Sequence, residues 1–547
     1  EMSASLVGSE MCIRDRGQML VSPYIDPDRI VDVSRYMDHD LKAAMGLVDI
    51  PEQQEQTEYS IDFPEDGNVS IYGSSGFGKT FALSVIMMEL ALKNSAELLN
   101  FYIMDFGNSG LIQFKNLPHT ADYMGLDDIE KIQKFVKILQ EEIRQRKRIF
   151  AAASAMNFTM YNQMAEEKLP AVFLFIDNYD VIKESELDLE SAITQFTRDG
   201  VSLGIYVVIT ATRTGAVRYS VQNNFKNRIA LFMYEASDVQ SVVGRTRYPL
   251  SEIKGRGFIK LENINQIQLY TIADPSDLAA YMDTVKRYVQ GISSHYTGRK
   301  PKAIPMLPEE LTAAGLRAYC DAVPDNLVPI GLETEEVEVR YLDLKQYRQV
   351  VVGPVQSGKT NLLKVLLESI CKAVPVYLVD SKESELTAYQ TQENVTYINS
   401  KDGVRMFLDE MQSVMAERKQ CYEEARQKDA GLIPKLYFEG MAPVVAMIEN
   451  WDGFMEYLRE PDMEDAQDIF VQLEQYGVTV IAAVNGIIKG YDPAAKYMKE
   501  AVSGVILGKV SEQTVFDVPY VRSSETDISI GHVIQKGRLT KIKIPCA

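Results

Sequence analysis

The 547 residues carry 57 Lys and Arg against 77 Asp and Glu, a net charge of −20, with 46% hydrophobic and 24% charged residues. This globular composition excludes disorder, collagen-like repeats and a disulfide scaffold, and its acidity disfavours non-specific attraction to nucleic acid. The 5 cysteines are scattered without a CxxC and the 4 histidines are dispersed, so neither disulfides nor a metal cluster is expected.

No apolar run approaches the roughly 18 residues that cross a membrane. Length alone sets a prior of roughly three to four domains, fewer where α/β units run large. Residues 1–16, "EMSASLVGSEMCIRDR", follow neither a helical nor a strand period. They resemble translated sequencing-adapter read-through and are expected to be a non-native leader. A first residue of Glu points to a piece of a longer protein. Residues 17–44 read as a connector from an upstream domain, with one amphipathic helix at about Arg29–Ala44.

A first module is expected over residues 45–296. The β-rich run Asn68–Tyr72 leads into "GSSGFGKT", Gly73–Thr80, and then into a helical apolar pattern over Phe81–Leu92. Apolar strands follow: "LLNFYIMD" closes at Asp105, "AVFLFIDN" reaches Asp177 and "GIYVVITATR" ends at Arg213. Leu278–Val289 reads as a helix, and residues 297–327 as a proline-spaced linker.

The second module, expected over 328–547, repeats this order. Gln349–Val352 leads into "GPVQSGKT", Gly353–Thr360, and a helix over Asn361–Ala373. "PVYLVD" then closes at Asp380, "PVVAMIEN" reaches Glu449, "GVTVIAAVNG" passes Asn485, and Lys541–Pro545 reads as a closing strand. Upstream of the loops, Met45–Gln54 echoes Ile330–Val339. Continuous apolar strands alternating with helices predict parallel sheets covered on both faces. The fold class is therefore α/β, with two tandem RecA-like P-loop modules, each a mainly parallel sheet between helices.

Both loops match G-x-x-x-x-G-K-[ST] between a strand and a helix, the context in which backbone N–H groups cradle phosphates. The candidate nucleotide-binding residues are Gly73, Ser74, Ser75, Gly76, Phe77, Gly78, Lys79 and Thr80. In the second loop they are Gly353, Pro354, Val355, Gln356, Ser357, Gly358, Lys359 and Thr360. Lys79 and Lys359 would reach the β/γ-phosphates of ATP, and Thr80 and Thr360 would ligate Mg²⁺. Pro354 removes one potential N–H donor from the second cradle.

Asp177 and Glu449 stand where a metal-holding acid belongs, yet Asn178 and Asn450 follow them, and an amide is no general base. Losing such a base typically costs about 10²–10⁴ in rate. Asp180 and Asp452 could substitute only if the turn returned them to the site. Arg213 ends a strand at a position suited to touch a γ-phosphate; Arg228 and Arg245 are possible fingers in trans, though a surface ion pair is the commoner role.

On these residues the chain resembles FtsK/SpoIIIE-type ATPases, specifically the EssC/EccC proteins of type VII secretion. Ala211–Met233, "SDVQSVVGRT" at Ser237–Thr246 and "GRGFIK" at Gly255–Lys260 resemble the FtsK/SpoIIIE core. "IDNYD" at Ile176–Asp180, "IENWDGF" at Ile448–Phe454 and "IPMLPEEL" at Ile304–Leu311 resemble the secretion branch. The resemblance covers about Gly17–Ala547 and implies the second and third of three ATPase modules, at the cytoplasmic face of a bacterial membrane. It further implies hexamers, other secretion subunits as partners, and secreted helical-hairpin substrates. The alternatives are an FtsK-type DNA translocase, which the acidic charge argues against, and a non-hydrolysing scaffold clamped by ATP.

Overall fold

A computed structural model describes residues 19–26, 32–50, 55–183, 189–322, 324, 326–381, 385–460, 463, 467–519, 521 and 527–547. The leader 1–16 lies outside them. The chain divides into two units, residues 1–304 and 305–547, so the division falls inside the proline-spaced segment.

In the first unit the sheet order is Glu55–Asp62, Lys42–Ile50, Ile264–Thr271, Arg256–Lys260, Asn227–Leu231, Val69–Tyr72, Ile205–Ala211, Ala171–Asp177, Leu99–Asp105 and Thr120–Met124. From Asn227–Leu231 onward all pairings are parallel. The other four strands form an antiparallel extension.

The second unit repeats this order strand for strand. It runs Val339–Asp343, Leu327–Glu333, Arg538–Lys543, Ile530–Gln535, Ser503–Leu507, Arg348–Val352, Val478–Val484, Val444–Ile448, Val376–Val379 and Val395–Ile398. The central strands Ala171–Asp177, Ile205–Ala211, Val444–Ile448 and Val478–Val484 are buried at every residue. That burial explains why they read as unbroken apolar runs. In the second unit Val350, Val352, Ala446 and Ile448 face one core with Trp451, Phe407 and Phe470, while Val351, Val445 and Met447 face another with Leu362, Leu363 and Leu366. Alternation across the pleat thus sends one strand into two cores.

The amphipathic helix expected over Arg29–Ala44 is not what forms. Residues 27–31 lie outside the described residues; beyond them Asp32 caps a single 3₁₀ turn, Val33–Arg35, by accepting from the Ser34 N–H at 3.1 Å. Lys42–Ile50 is a strand, and Lys42–Ala44 pair with Ser60–Asp62. Partnering in the sheet overrides the helical spacing of the apolar residues. Residues 19–22 also pack into the first unit: Leu20–Val21 pairs with Tyr270–Thr271, and Ser22 donates to Glu89 at 3.2 Å.

A buried arginine braces each unit at equivalent places. Arg146, on the helix Ile129–Ala152, donates to the carbonyls of Leu203 and Pro170, both at 2.8 Å. Arg418, on Lys401–Lys428, donates to Tyr476 at 2.7 Å, to Gly477 at 3.1 Å and to Ala442 at 2.5 Å. Each guanidinium satisfies carbonyls in the turns that enter two central strands. A buried guanidinium needs acceptors for its donors, and these carbonyls supply them.

Candidate functional site

Each P-loop leaves the carboxyl end of its central strand, where ligands of such sheets bind. In the first loop Gly76 and Gly78 adopt φ of 85° and 102°, a left-handed corner that glycine enters without steric cost. The corner turns loop N–H groups toward one point at the start of the helix Lys79–Lys93.

Lys79 is only 9% exposed, and its Nζ folds back onto the carbonyls of Gly73 at 2.7 Å and Ser74 at 3.0 Å. Burial holds its pKa below the usual lysine range, with Asp177 and Asp180 opposing the shift. Thr80 Oγ1 donates to Asp177 Oδ2 at 2.9 Å, and Thr210 Oγ1 donates to Oδ1 at 2.5 Å. Burial pushes the Asp177 carboxyl up, and the Thr210 and Thr80 hydroxyls pull it down. A cleft of about 450 Å³ joins the loop, Asp177 and Asn178 to an apolar wall of Phe81, Leu278 and Met282.

This arrangement fits a Mg²⁺–triphosphate. A phosphate can replace two loop carbonyls as partner of the lysine, and a cation can offset the desolvated carboxylate.

The second loop has the same shape with different residues. Lys359 Nζ donates to Gly353 at 2.9 Å and Pro354 at 2.7 Å, and Thr360 Oγ1 donates to Glu449 Oε1 at 3.1 Å. Burial lowers the Lys359 pKa and raises that of Glu449. Gly358 lies at φ 93°, but the counterpart of Gly76 is Gln356, which holds the left-handed corner at φ 62°. Pro354 does not remove a phosphate donor as expected. Its counterpart, Ser74, already spends its N–H on the Phe232 carbonyl at 2.8 Å.

The two asparagines after Asp177 and Glu449 have parted ways. Asn178 sits at φ 61°; its N–H donates to Thr210 Oγ1 at 2.9 Å and its Nδ2 to the Phe106 carbonyl at 3.2 Å. Asn450 is extended, at φ −133°, and caps the helix Trp451–Leu458 by accepting from the Gly453 N–H at 3.1 Å. Asp180 is not among the residues lining the cleft; it stands behind Thr212, which is, and accepts from the Thr212 N–H at 2.8 Å and from the Thr212 hydroxyl. Asp452 lies in the first turn of Trp451–Leu458 and lines a pocket with Asp380, Ser381, Asn450 and Asn485.

Arg213 is exposed at the start of a 3₁₀ turn, outside the residues lining the cleft. Arg228 is committed to the carbonyls of Phe225 at 3.1 Å and Gln222 at 2.8 Å, whereas Arg245 is exposed.

Three contributions were not foreseen from sequence. Thr210 supplies Asp177 with a second donor, and its register counterpart in the second unit is Ala483. Asp105 accepts from Tyr123 OH and the Leu111 N–H, both at 2.9 Å; Asp380 repeats this with Tyr397 OH at 2.6 Å and the Leu386 N–H at 3.0 Å. These acids pin the loop beside each cleft. The duplicated strand-end acids were visible; the tyrosines one strand away carried no signal of their own.

The FtsK/SpoIIIE family model matches residues 29–251 and 317–501, and so takes in both P-loops and runs past Ile205–Ala211 in the first unit and Val478–Val484 in the second. The chain belongs to the FtsK/SpoIIIE family. Within that family it is 34% identical to the ESX secretion system protein EccC of Geobacillus thermodenitrificans (strain NG80-2) over 512 residues, covering 92% of this chain and 34% of that protein. It is 35% identical to YukB of Bacillus subtilis (strain 168), covering 96% of this chain and 36% of that one. The chain thus spans about a third of the length of the curated relatives it matches. A solved structure of EssC ATPases 2 and 3 from Geobacillus thermodenitrificans superposes with a TM-score of 0.83 at 31% identity, covering 97% of this chain and 99% of that one. The chain is therefore of the EssC/EccC type. Among the described residues no helix is long and apolar enough to cross a membrane.

Proposed function

We infer that the two units are nucleotide-binding modules of a type VII secretion ATPase, which hold ATP and Mg²⁺ tightly and turn it over slowly. In the first unit Lys79 grips the β/γ-phosphates, and Thr80 with Asp177 holds the metal. Lys359, Thr360 and Glu449 do the same in the second. The observation that carries the reading is the pair of lysine–carbonyl and threonine–acid contacts, formed twice on one topology.

Slow turnover follows from the lack of a free base at either site among the described residues. Asn178 offers an amide already bonded to Phe106, Asn450 caps its own helix, and Asp180 is held by Thr212. Arg213, being exposed, is free to meet a neighbouring copy in a hexamer. The whole protein would work at the cytoplasmic face of the bacterial membrane with other secretion subunits, passing secreted helical-hairpin proteins. In that setting ATP occupancy serves regulation and substrate capture more than force.

Nucleotide titration of the full chain with Lys79→Ala and Lys359→Ala tests the reading. Each substitution removes one binding event of two. If neither weakens ATP binding, both loops have been misassigned. Duplex DNA binding at physiological salt with a steep salt slope would instead favour translocation.

A further inference from the structure

The second unit contains a cavity of about 590 Å³ that has nothing to do with its P-loop. It lies between the hairpin Leu327–Asp343 and the strands Ile530–Gln535 and Arg538–Lys543, and its floor is Ser503. Ser503 pairs with Gln349 at the amino end of the central strands, whereas the P-loop follows Val352 at the carboxyl end. The cavity is therefore at the opposite end of the sheet from the nucleotide cleft. The hairpin strand Leu327–Glu333 meets Arg538–Lys543 at two paired positions only, and Gln535 Nε2 ties the other side by donating to the Tyr341 carbonyl at 2.5 Å.

The first unit shows what this place looks like when closed. Its hairpin strand pairs with Ile264–Thr271 at four positions. Tyr59, opposite the bulge residue Gly46, donates from its hydroxyl to Asn227 Oδ1 at 3.3 Å, and Asn227 donates to the Asp66 carbonyl at 3.0 Å.

Register fixes the counterparts. Gly331 stands for Gly46, so Arg340 replaces Tyr59; Ser503 replaces Asn227. The bond that seals the first unit therefore has no equivalent, and both replacements carry unmet polar atoms. Ser503 is 2% exposed and its Oγ has no hydrogen-bond partner; Arg340 Nε is likewise buried without one. Buried polar atoms left unpaired are costly, and these two belong to residues that border an opening, where a ligand can supply the partners.

The charge of the lining states which ligand. Arg340, Lys536 and Arg538 face the cavity, with Asp343 as the one acid among the described lining residues. Asp343 Oδ1 is already engaged by Asn326 Nδ2 at 2.7 Å and the Lys345 N–H at 2.9 Å. Glu338 reaches Arg340 from outside at 3.6 Å, with 66% of its own side chain in water. This concentration of positive charge lies in a chain of net charge −20.

We propose that this cavity binds a phosphate-bearing ligand, with Arg340, Lys536 and Arg538 on the phosphoryl oxygens and Ser503 Oγ donating to one of them. A phosphoryl dianion matches the lining in charge, and guanidinium forks with a hydroxyl match its acceptors. The volume leaves room for the group that carries the phosphate, within the range of small-molecule pockets. The site does not depend on what the P-loops bind.

The test uses the full chain carrying Lys79→Ala and Lys359→Ala, so that phosphate taken up by the P-loops does not mask the cavity. Inorganic phosphate is titrated by calorimetry, and vesicles containing phosphatidic acid are scored by flotation. Two double variants are compared with that parent: Lys536→Glu with Arg538→Glu, which alters exposed hairpin residues and spares the fold, and Arg340→Tyr with Ser503→Asn, which installs the first unit's closure. The parent should bind at least one probe, and both variants should weaken that binding tenfold or more. Saturation by free phosphate identifies a soluble ligand; flotation without it identifies a lipid headgroup. A parent that binds neither probe, or a Lys536→Glu/Arg538→Glu variant that binds as the parent does, overturns the proposal.

Discussion

Exchanging the residues at the fourth loop position, Gly76 and Gln356, between the two P-loops isolates the cost of the left-handed corner. Gln356 holds φ 62° where Gly76 holds φ 85°. A side chain in that region costs roughly 1–2 kcal/mol, while glycine gives back about 0.4–1 kcal/mol through the greater freedom of the unfolded chain. Gln356→Gly should therefore stabilise the second unit by about 0.5–1 kcal/mol, the difference of those two terms. Gly76→Gln should destabilise the first by a similar amount. The reverse swap is informative because a Cβ at Gly76 would meet nothing within 4 Å, so its cost is conformational, not steric. For domains of roughly 150–250 residues each kcal/mol moves the melting temperature by about 2–4 °C. Scanning calorimetry of the full chain should show a rise of about 1–4 °C for Gln356→Gly and a matching fall for Gly76→Gln. A lower melting temperature for Gln356→Gly, or no change for Gly76→Gln, would refute the argument that both loops share a strained corner.

Asp177→Asn should stabilise the ligand-free chain by an amount that grows as pH rises from about 4 toward 7. Burial raises the folded pKa of Asp177, so its favourable contribution is complete below the unfolded carboxylate pKa and is lost as pH rises through the folded value. Melting curves across that range check the sign, and the same variant should bind Mg²⁺–ATP more weakly. Arg146→Met leaves the carbonyls of Leu203 and Pro170 without their donor; at about 1–3 kcal/mol per orphaned group, a loss of roughly 2–6 kcal/mol in denaturant unfolding is expected. Trp451→Ala, at a fully buried site, should cost about 3–5 kcal/mol in the same assay. Asn178→Asp keeps a side chain that tolerates φ 61° and restores a carboxylate beside Asp177; phosphate release should rise at least about tenfold, toward what a positioned base supplies. Unchanged turnover would show that the base is not the missing part.

The duplicated fold was legible because its strands are buried on both faces and its loops need glycine, lysine and threonine at fixed places. Ala171–Asp177 and Val444–Ile448 could be read as strands from apolarity alone. The segment 32–44 misled because its end, Lys42–Ala44, is held by a partner strand, Glu55–Asp62, that lies further along the chain. Thr210, Tyr123 and Arg146 were silent for a related reason. Each acts on an element distant in sequence, and a threonine in a strand or an arginine on a helix has many ordinary explanations.

Duplication also makes each unit the control for the other. Where the same position holds different residues, topology is constant and the chemical difference stands alone. Thr210 gives Asp177 a second hydroxyl donor where Ala483 offers none, and the hydroxyls beside Glu449 are those of Thr360 and Ser381. Gln356 adds backbone strain in the second loop, where the first has Gly76. That strain falls on the phosphate cradle itself, so the first unit should bind Mg²⁺–ATP more tightly than the second. The losses fall on the nucleotide end of the second unit, while its opposite end has gained a cationic cavity that the first unit keeps closed. Relaxed demand on one ligand site and elaboration of another within the same module is the pattern expected if the second unit responds to a signal other than its own nucleotide.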